Sequence, residues 1–274
     1  MRGYLRIIRA IVAGERNPNT LAQMRHSFCV NSTETIEQAL TGHYREEHLF
    51  SLKQALELYD IYRDKIRACD AAIEQKLLEF SNSEGLQLHQ GINKAKAKPS
   101  SKNAPSFDLS GHLLRLSGVD LLQVPGINSL SALALISEIG LDMSRWKNAK
   151  QFASWLGLCP GNKVSGGKRI SGKSKPCANR AAAILRMAAY SLNRSSTALG
   201  GFLRRLKIRL GPAKAITATA HKLAKIIYTM LRDGISYLEV GQGYYEAQYR
   251  ERMIRNLQRK AETLGFDIII KGDA

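Results

Sequence analysis

The sequence predicts a mostly α protein: a long helical coiled-coil arm followed by a helical domain that contains a helix-hairpin-helix. Three observations lead there. Between Glu46 and Phe80 apolar residues return at every seventh position. Arg180 to Asn193 is rich in Ala, Leu and Met, which gives strong helix propensity. No sustained βαβ pattern and no internal repeat appears anywhere in the 274 residues. The chain divides into an arm at 1–80, a flexible linker at 81–106, a helical domain at 107–240, and a C-terminal helix and tail at 241–274. That length is enough for a real hydrophobic core.

Residues 4–13 read as a short helix or a buried strand, ended by Gly14. Asn17-Pro18-Asn19-Thr20 is a turn with Thr20 as a helix N-cap, and Ser32-Thr33-Glu34-Thr35 opens a helix that Thr41-Gly42 stops. Leu52, Tyr59, Ile66, Ile73 and Phe80 then form a heptad seam, with Ala55, Tyr62 and Cys69 three positions after the first three. The seam fits a helix packed within one subunit and equally an arm that pairs with a partner. Ser81 to Pro105 turns to Ser, Asn, Gly, Lys and Pro, the composition of a flexible linker.

Leu121 to Gly140 holds a short apolar helix, a Pro125-Gly126 turn and a second helix. In a helix-hairpin-helix the backbone around Gly126 and Ile127 approaches a DNA phosphate at a helix N-terminus. A plain turn between core helices needs similar residues. Phe152 to Leu156 continues as helix and Gly157 ends it. A Gly-, Lys- and Ser-rich loop without any acid fills 158–180. Further helices follow at 180–193, around 202–210, from Pro212 to about Arg232 and at about 244–264, with a terminal strand at 266–270.

Charge is the strongest bulk signal. The net charge is +18, and from Met143 to Arg232 there is no Asp or Glu against 19 Lys plus Arg. The remainder holds 22 bases against 23 acids, so one block carries the whole excess. A surface cleared of acids must face a polyanion, nucleic acid before an anionic membrane surface. No apolar run is long enough to span a membrane and the N-terminus does not read as a signal peptide. The four cysteines, Cys29, Cys69, Cys159 and Cys177, form no C-x-x-C pair, which points to a reducing, cytoplasmic setting.

Metal-dependent nuclease chemistry needs paired acids near the basic surface, and the block has none. Glu138 and Asp142 precede it, Asp233 follows it, and a capping or solvated role suits the first two better than a metal site. The histidines are scattered, and His221 reads as an ordinary helix residue. Ser165 is the best nucleophile candidate: Gly166 and Gly167 allow close backbone approach to a phosphate, and Lys163, Lys168 and Arg169 are placed to stabilise negative charge. A serine is weak unaided, so a base or metal must come from elsewhere. Ser171 and Ser174 lie in a similar setting and stay open, as does a phosphate-gripping loop without covalent chemistry.

Several blocks together resemble one family. They are Val124-Pro-Gly-Ile127 with Ile136-Ser-Glu-Ile-Gly140, Phe152-Ala-Ser-Trp-Leu-Gly-Leu-Cys-Pro160, Ser165-Gly-Gly-Lys168, Ala178-Asn-Arg180 and the run Lys214 to Ala224. Their order is that of the C-terminal domain of DEDD-type insertion-sequence transposases, the family that includes Piv-like DNA invertases. Tyr44 to Phe50 and the heptad helix resemble that family's connecting region. The resemblance implies DNA as partner, in some members an element-encoded guide RNA, and a homo-oligomer through the arm. It implies a serine that attacks DNA to give a phosphoserine link, here matched by Ser165. It adds Gly126, Ile127, Lys163, Gly166, Gly167, Lys168, Arg169, Lys173, Lys175, Asn179 and Arg180 as the DNA-contact set. In the family a RuvC-like domain supplies four acids for Mg²⁺, and no stretch here matches it. The expectation is therefore a truncated or internally started transposase without its own cofactor, inactive alone. The runner-up is a non-catalytic nucleic-acid-binding module that modulates a full-length transposase, with a ribosome-associated RNA-binding protein behind it.

Overall fold

The computed structural model describes residues 3–83, 104–161, 163–172, 174 and 179–267. The chain divides into two compact units, Met1–Ile73 and Glu74–Ala274. It is mostly α, as the sequence predicts, with one short β-hairpin. None of the described helices is long and apolar enough to cross a membrane.

The first unit contains α1 (Gly3–Val12), α2 (Pro18–Gln23), α3 (Thr33–Leu40) and most of α4 (Glu46–Ser83). The expected helix or strand at 4–13 is a helix, Gly3–Val12, with Leu5 and Ile11 buried. The cap of α2 is Asn17, not Thr20. The Asn17 side chain accepts from the Asn19 and Thr20 N–H groups, and Pro18 takes the first helical position, where no N–H is needed. Ser32 caps α3 and Thr41 closes it. Leu21 and Ala22 of α2 are fully buried. An Arg9–Asp60 ion pair at 2.5 Å ties α1 to α4 within the unit. Along α4 the heptad seam is open: Tyr62 is 66% and Ile66 58% exposed.

The second unit is built around α10 (Pro212–Asp233). Ala215, Thr219, Ala220, Leu223, Ala224, Ile227 and Tyr228 are buried along one stripe, spaced at the helical period. Its small residues let α7 (Ala149–Trp155), α8 (Arg180–Ser191) and α9 (Ala198–Leu210) pack closely against it. The Tyr228 hydroxyl donates to the Trp146 carbonyl oxygen at 2.7 Å, satisfying a polar atom deep in the core. Each buried Leu or Ile contributes about 1.5–3 kcal/mol. The tail of α4 joins this core through Leu77, and α5 (Leu109–Ser117) through Leu109, Leu113 and Leu116. Helix α11 (Gly241–Thr263) packs on α9.

Three local expectations change. The short helix expected at Leu121 is only a three-residue 3-10 turn, Leu121–Gln123, capped by Asp120. It cannot lengthen because Val124 precedes Pro125 and is extended, with ψ 121°. The turn then leads into α6 (Ser129–Ile139), which opens on a capping box between Asn128 and Ser131. The loop at 158–180 contains two paired strands, described below. The helix expected near 202 begins earlier, at Ala198. The expected linker lies largely outside the described residues, as do the last three residues of the expected terminal strand.

Candidate nucleic-acid interface

Between α7 and α8 the chain forms an antiparallel hairpin of β1 (Lys163–Ser165) and β2 (Lys168–Ser171). Gly157, at φ 66°, ends the helical run before it, and a Pro160–Ser174 bridge pairs the flanking chain. The turn is the two residues Gly166 and Gly167, with φ 55° and 71°. Positive φ at both central positions is the type I′ pattern, whose twist suits a tight hairpin and which glycine adopts without strain. A Cβ at either glycine would meet nothing within 4 Å, so the turn stands clear of the rest of the unit.

Ser165 and Lys168 are the closing pair of this turn. Directly opposed residues place their side chains on one face with Cβ atoms about 5 Å apart. The Ser165 hydroxyl and the Lys168 ammonium therefore leave the hairpin tip together, and both residues are exposed. Val164 pairs with Arg169, and Lys163 with Ser171 at the far end. The register thus separates the serines: Ser165 is at the tip, Ser171 at the base and Ser174 in the bridge behind. Lys173 and Lys175 lie outside the described residues.

Asn179 caps α8, its side chain accepting from Ala181 N–H at 2.8 Å and Ala182 N–H at 3.4 Å. Arg180 follows as the first, exposed residue of the helix. Gly126 is in a different position. A Cβ there would sit 2.7 Å from the Ala188 carbonyl oxygen and 3.1 Å from Ser191 Oγ of α8. With φ 89° the residue is a glycine on two counts, and both are packing requirements. Ile127 is 2% exposed and its N–H donates to the Val124 carbonyl at 3.1 Å. Its side chain and its amide are both engaged within the fold.

The acid-free block does not put all its cations on the surface. Arg204 donates to the carbonyls of Asn193 and Ser195 and to Gln242, and Lys207 to Asn193. Arg205 lies over the rings of Tyr245 and Tyr249 at 4.4 and 3.5 Å. Lys222 lies 4.5 Å from the Phe202 ring, and burial, then Arg205 and Arg252, lower its pKa. Half-buried His221 is held below the usual imidazole value by burial and then by Lys225. These groups serve α9, α10 and α11, while Lys168 at the hairpin tip and Arg180 at the start of α8 are among the cations of the block that stay exposed.

Asp142 caps a 3-10 turn, Met143–Arg145. Its carboxylate accepts from Ser144 N–H at 2.9 Å, and bonding to Ser144 holds it below the usual carboxylate range. Asp233 pairs with Arg232. Among the described residues no three His, Cys, Asp or Glu side chains stand close enough to hold a metal ion. The donors present among the described residues do not fit Mg²⁺. Cys29, Cys69 and Cys159 are free thiols, while Cys177 lies outside the described residues. Helix propensity alone marks the 180–193 helix in the sequence and does not reveal that Met187 and Tyr190 are exposed on its outer face, with Arg186 half-buried at the edge and Arg194 in the turn after it.

Residues 120–200 match the model of the transposase IS116/IS110/IS902 family. That span runs from the Pro-Gly turn through the hairpin and α8 to the start of α9. A probable family 20 transposase of Pseudomonas aeruginosa is 33% identical over 121 residues, which are 40% of this chain and 34% of the relative. The chain spans about a third of the length of that curated relative.

Proposed function

We propose that this chain is part of a transposase of the IS116/IS110/IS902 family, whose model residues 120–200 match, and that it binds DNA through its hairpin and uses Ser165 for strand transfer. The observation that carries this reading is the placement of Ser165 at the exposed tip of a Gly-Gly turn, on one face with Lys168. In the proposed step the Ser165 hydroxyl oxygen attacks a DNA phosphorus. A phosphoserine bond forms, a sugar–oxygen–phosphorus bond breaks, and the departing sugar oxygen takes up a proton as the serine loses its own. Lys168 stabilises the charge that builds on the non-bridging oxygens. The open turn lets a phosphate reach the Gly166 and Gly167 backbone. Lys163, Arg169, Lys173, Lys175, Asn179 and Arg180 would position the flanking backbone, as phosphate contacts do.

Neither strand contains a His, Asp or Glu, so the base that activates the serine comes from outside the hairpin. The open seam of α4, with Tyr62 and Ile66 exposed, supports pairing of the arm with a second copy of the chain. An element-encoded guide RNA is a further partner of this reading, and the setting is cytoplasmic. The absence of a metal-holding cluster among the described residues favours one alternative, a nucleic-acid-binding module without chemistry of its own that modulates a full-length transposase.

Incubation of the purified chain with end-labelled element DNA and Mg²⁺, followed by a denaturing gel, tests the proposal. A covalent protein–DNA adduct that Ser165→Ala abolishes would establish strand transfer by Ser165 in this chain. An adduct unchanged in that variant would eliminate Ser165 as nucleophile. Binding that weakens steeply with salt but never gives an adduct supports the module. Failure to bind DNA or RNA even at low salt would refute the charge argument itself.

A further inference from the structure

Among the described residues nothing covers Met187 or Tyr190 on the outer face of α8. Arg180, Ala183, Met187, Tyr190 and Ser191 of the helix, and Arg194 in the 3-10 turn Leu192–Arg194 that follows it, are exposed, Met187 at 74% and Tyr190 at 67%. Their spacing puts them on one stripe, with Arg186 at its half-buried edge. From Arg180 to Arg194 the stripe is about 20 Å long, at roughly 1.5 Å per residue. No ion pair of Arg180, Arg186 or Arg194 occurs among the described residues, whereas Arg204 and Lys207 are held by hydrogen bonds to Asn193, Ser195 and Gln242. No carboxylate occurs on α8 or anywhere in the block from Met143 to Arg232.

Tyr190 and Met187 stand exposed beside guanidinium groups, a mixed aromatic and basic surface suited to a ligand. Charge complementarity selects a polyanion, and the apolar side chains select one that also offers flat apolar faces. Arginines serve a duplex groove and a phosphate backbone alike, so it is the exposed Tyr190 ring beside Met187 that selects an unpaired strand. The stripe has the composition of a stacking platform inside a basic track. We infer that the outer face of α8 binds an unpaired nucleic-acid strand, with Tyr190 stacking on a base, Met187 packing beside it, and Arg180, Arg186 and Arg194 holding the phosphates. The Gly126 turn packs against the buried Ala188 carbonyl and Ser191 at the carboxyl end of α8. The inference rests on the nucleic-acid reading above and adds to it the unpaired state of the strand.

The test uses the full chain and fluorescein-labelled oligonucleotides of one sequence, single-stranded and as a duplex, at low salt. Tyr190→Ala is expected to weaken single-strand binding about tenfold or more, and duplex binding less than twofold. Tyr190→Phe keeps the ring and should restore single-strand binding to within about twofold. Equal losses on both oligonucleotides, or no loss on either, would overturn the inference while leaving the nucleic-acid reading intact. A wild-type chain that binds neither oligonucleotide would overturn both. A change in sedimentation of Tyr190→Ala without any change in oligonucleotide affinity would assign the face to a protein partner instead and reject the strand.

Discussion

Two glycine turns in the second unit look alike in the sequence and differ in what requires them. Gly126 has φ 89° and a backbone carbonyl where a Cβ would go. Gly166 and Gly167 have positive φ and open space. The first turn is therefore held by tertiary packing against α8, the second only by its own dihedrals. Glycine next to a basic or apolar run does not by itself mark a phosphate grip. What distinguishes the two is whether the freed space is already filled by the protein.

The largest effect should come from the packed turn. Gly126→Ala adds a strained dihedral and a 2.7 Å approach to the Ala188 carbonyl, and α6 and α8 must separate to relieve it. A loss of about 3 kcal/mol is expected, read from urea unfolding followed by the fluorescence of Trp146 and Trp155, which both lie in this unit. A loss below about 1 kcal/mol would mean that α8 yields easily and that the two turns are equivalent after all. Gly167→Ala should cost about 1 kcal/mol by the same measurement, the left-handed penalty alone. Gly167→Asn should recover part of it, since Asn tolerates that region.

Titration gives the smallest contrast. His221 belongs to the packed side, and its pKa lies below the unfolded value. The folded state then binds the proton less well than the unfolded chain. Stability from this group is complete above the unfolded value, about 6.5, and is lost as pH falls from there towards the folded value. His221→Gln should flatten the fall of the urea midpoint between about pH 7 and 5. The hairpin strands contain no histidine and should contribute nothing to that slope. An unaltered slope in the variant would remove His221 as its source.

The helices were legible because their signals are local. The stripe of α10 runs at the helical period, Pro212 sits at its first position, and Asn179 and Ser32 stand where side-chain caps are needed. The hairpin was missed although its signal was present: Ser165-Gly-Gly-Lys168 carries the dipeptide that a type I′ turn favours. Its strands are too short and too polar to show alternation. The cap at Asn17 was misplaced because Asn and Thr are both good caps, and Pro18 at the first helical position decides between them.

By itself the sequence determined the helical class, the acid-free block and the candidate serine, since composition and short-range order are properties of neighbouring residues. Only the tertiary structure decided which cations and glycines are free. Arg204, Arg205, Lys207 and Lys222 are engaged by partners far away in the chain, and Gly126 is engaged by α8. Ser165, Lys168 and the outer face of α8 remain exposed. Desolvation and packing act through space, and the order of residues along the chain does not reveal which side chains the fold has already used.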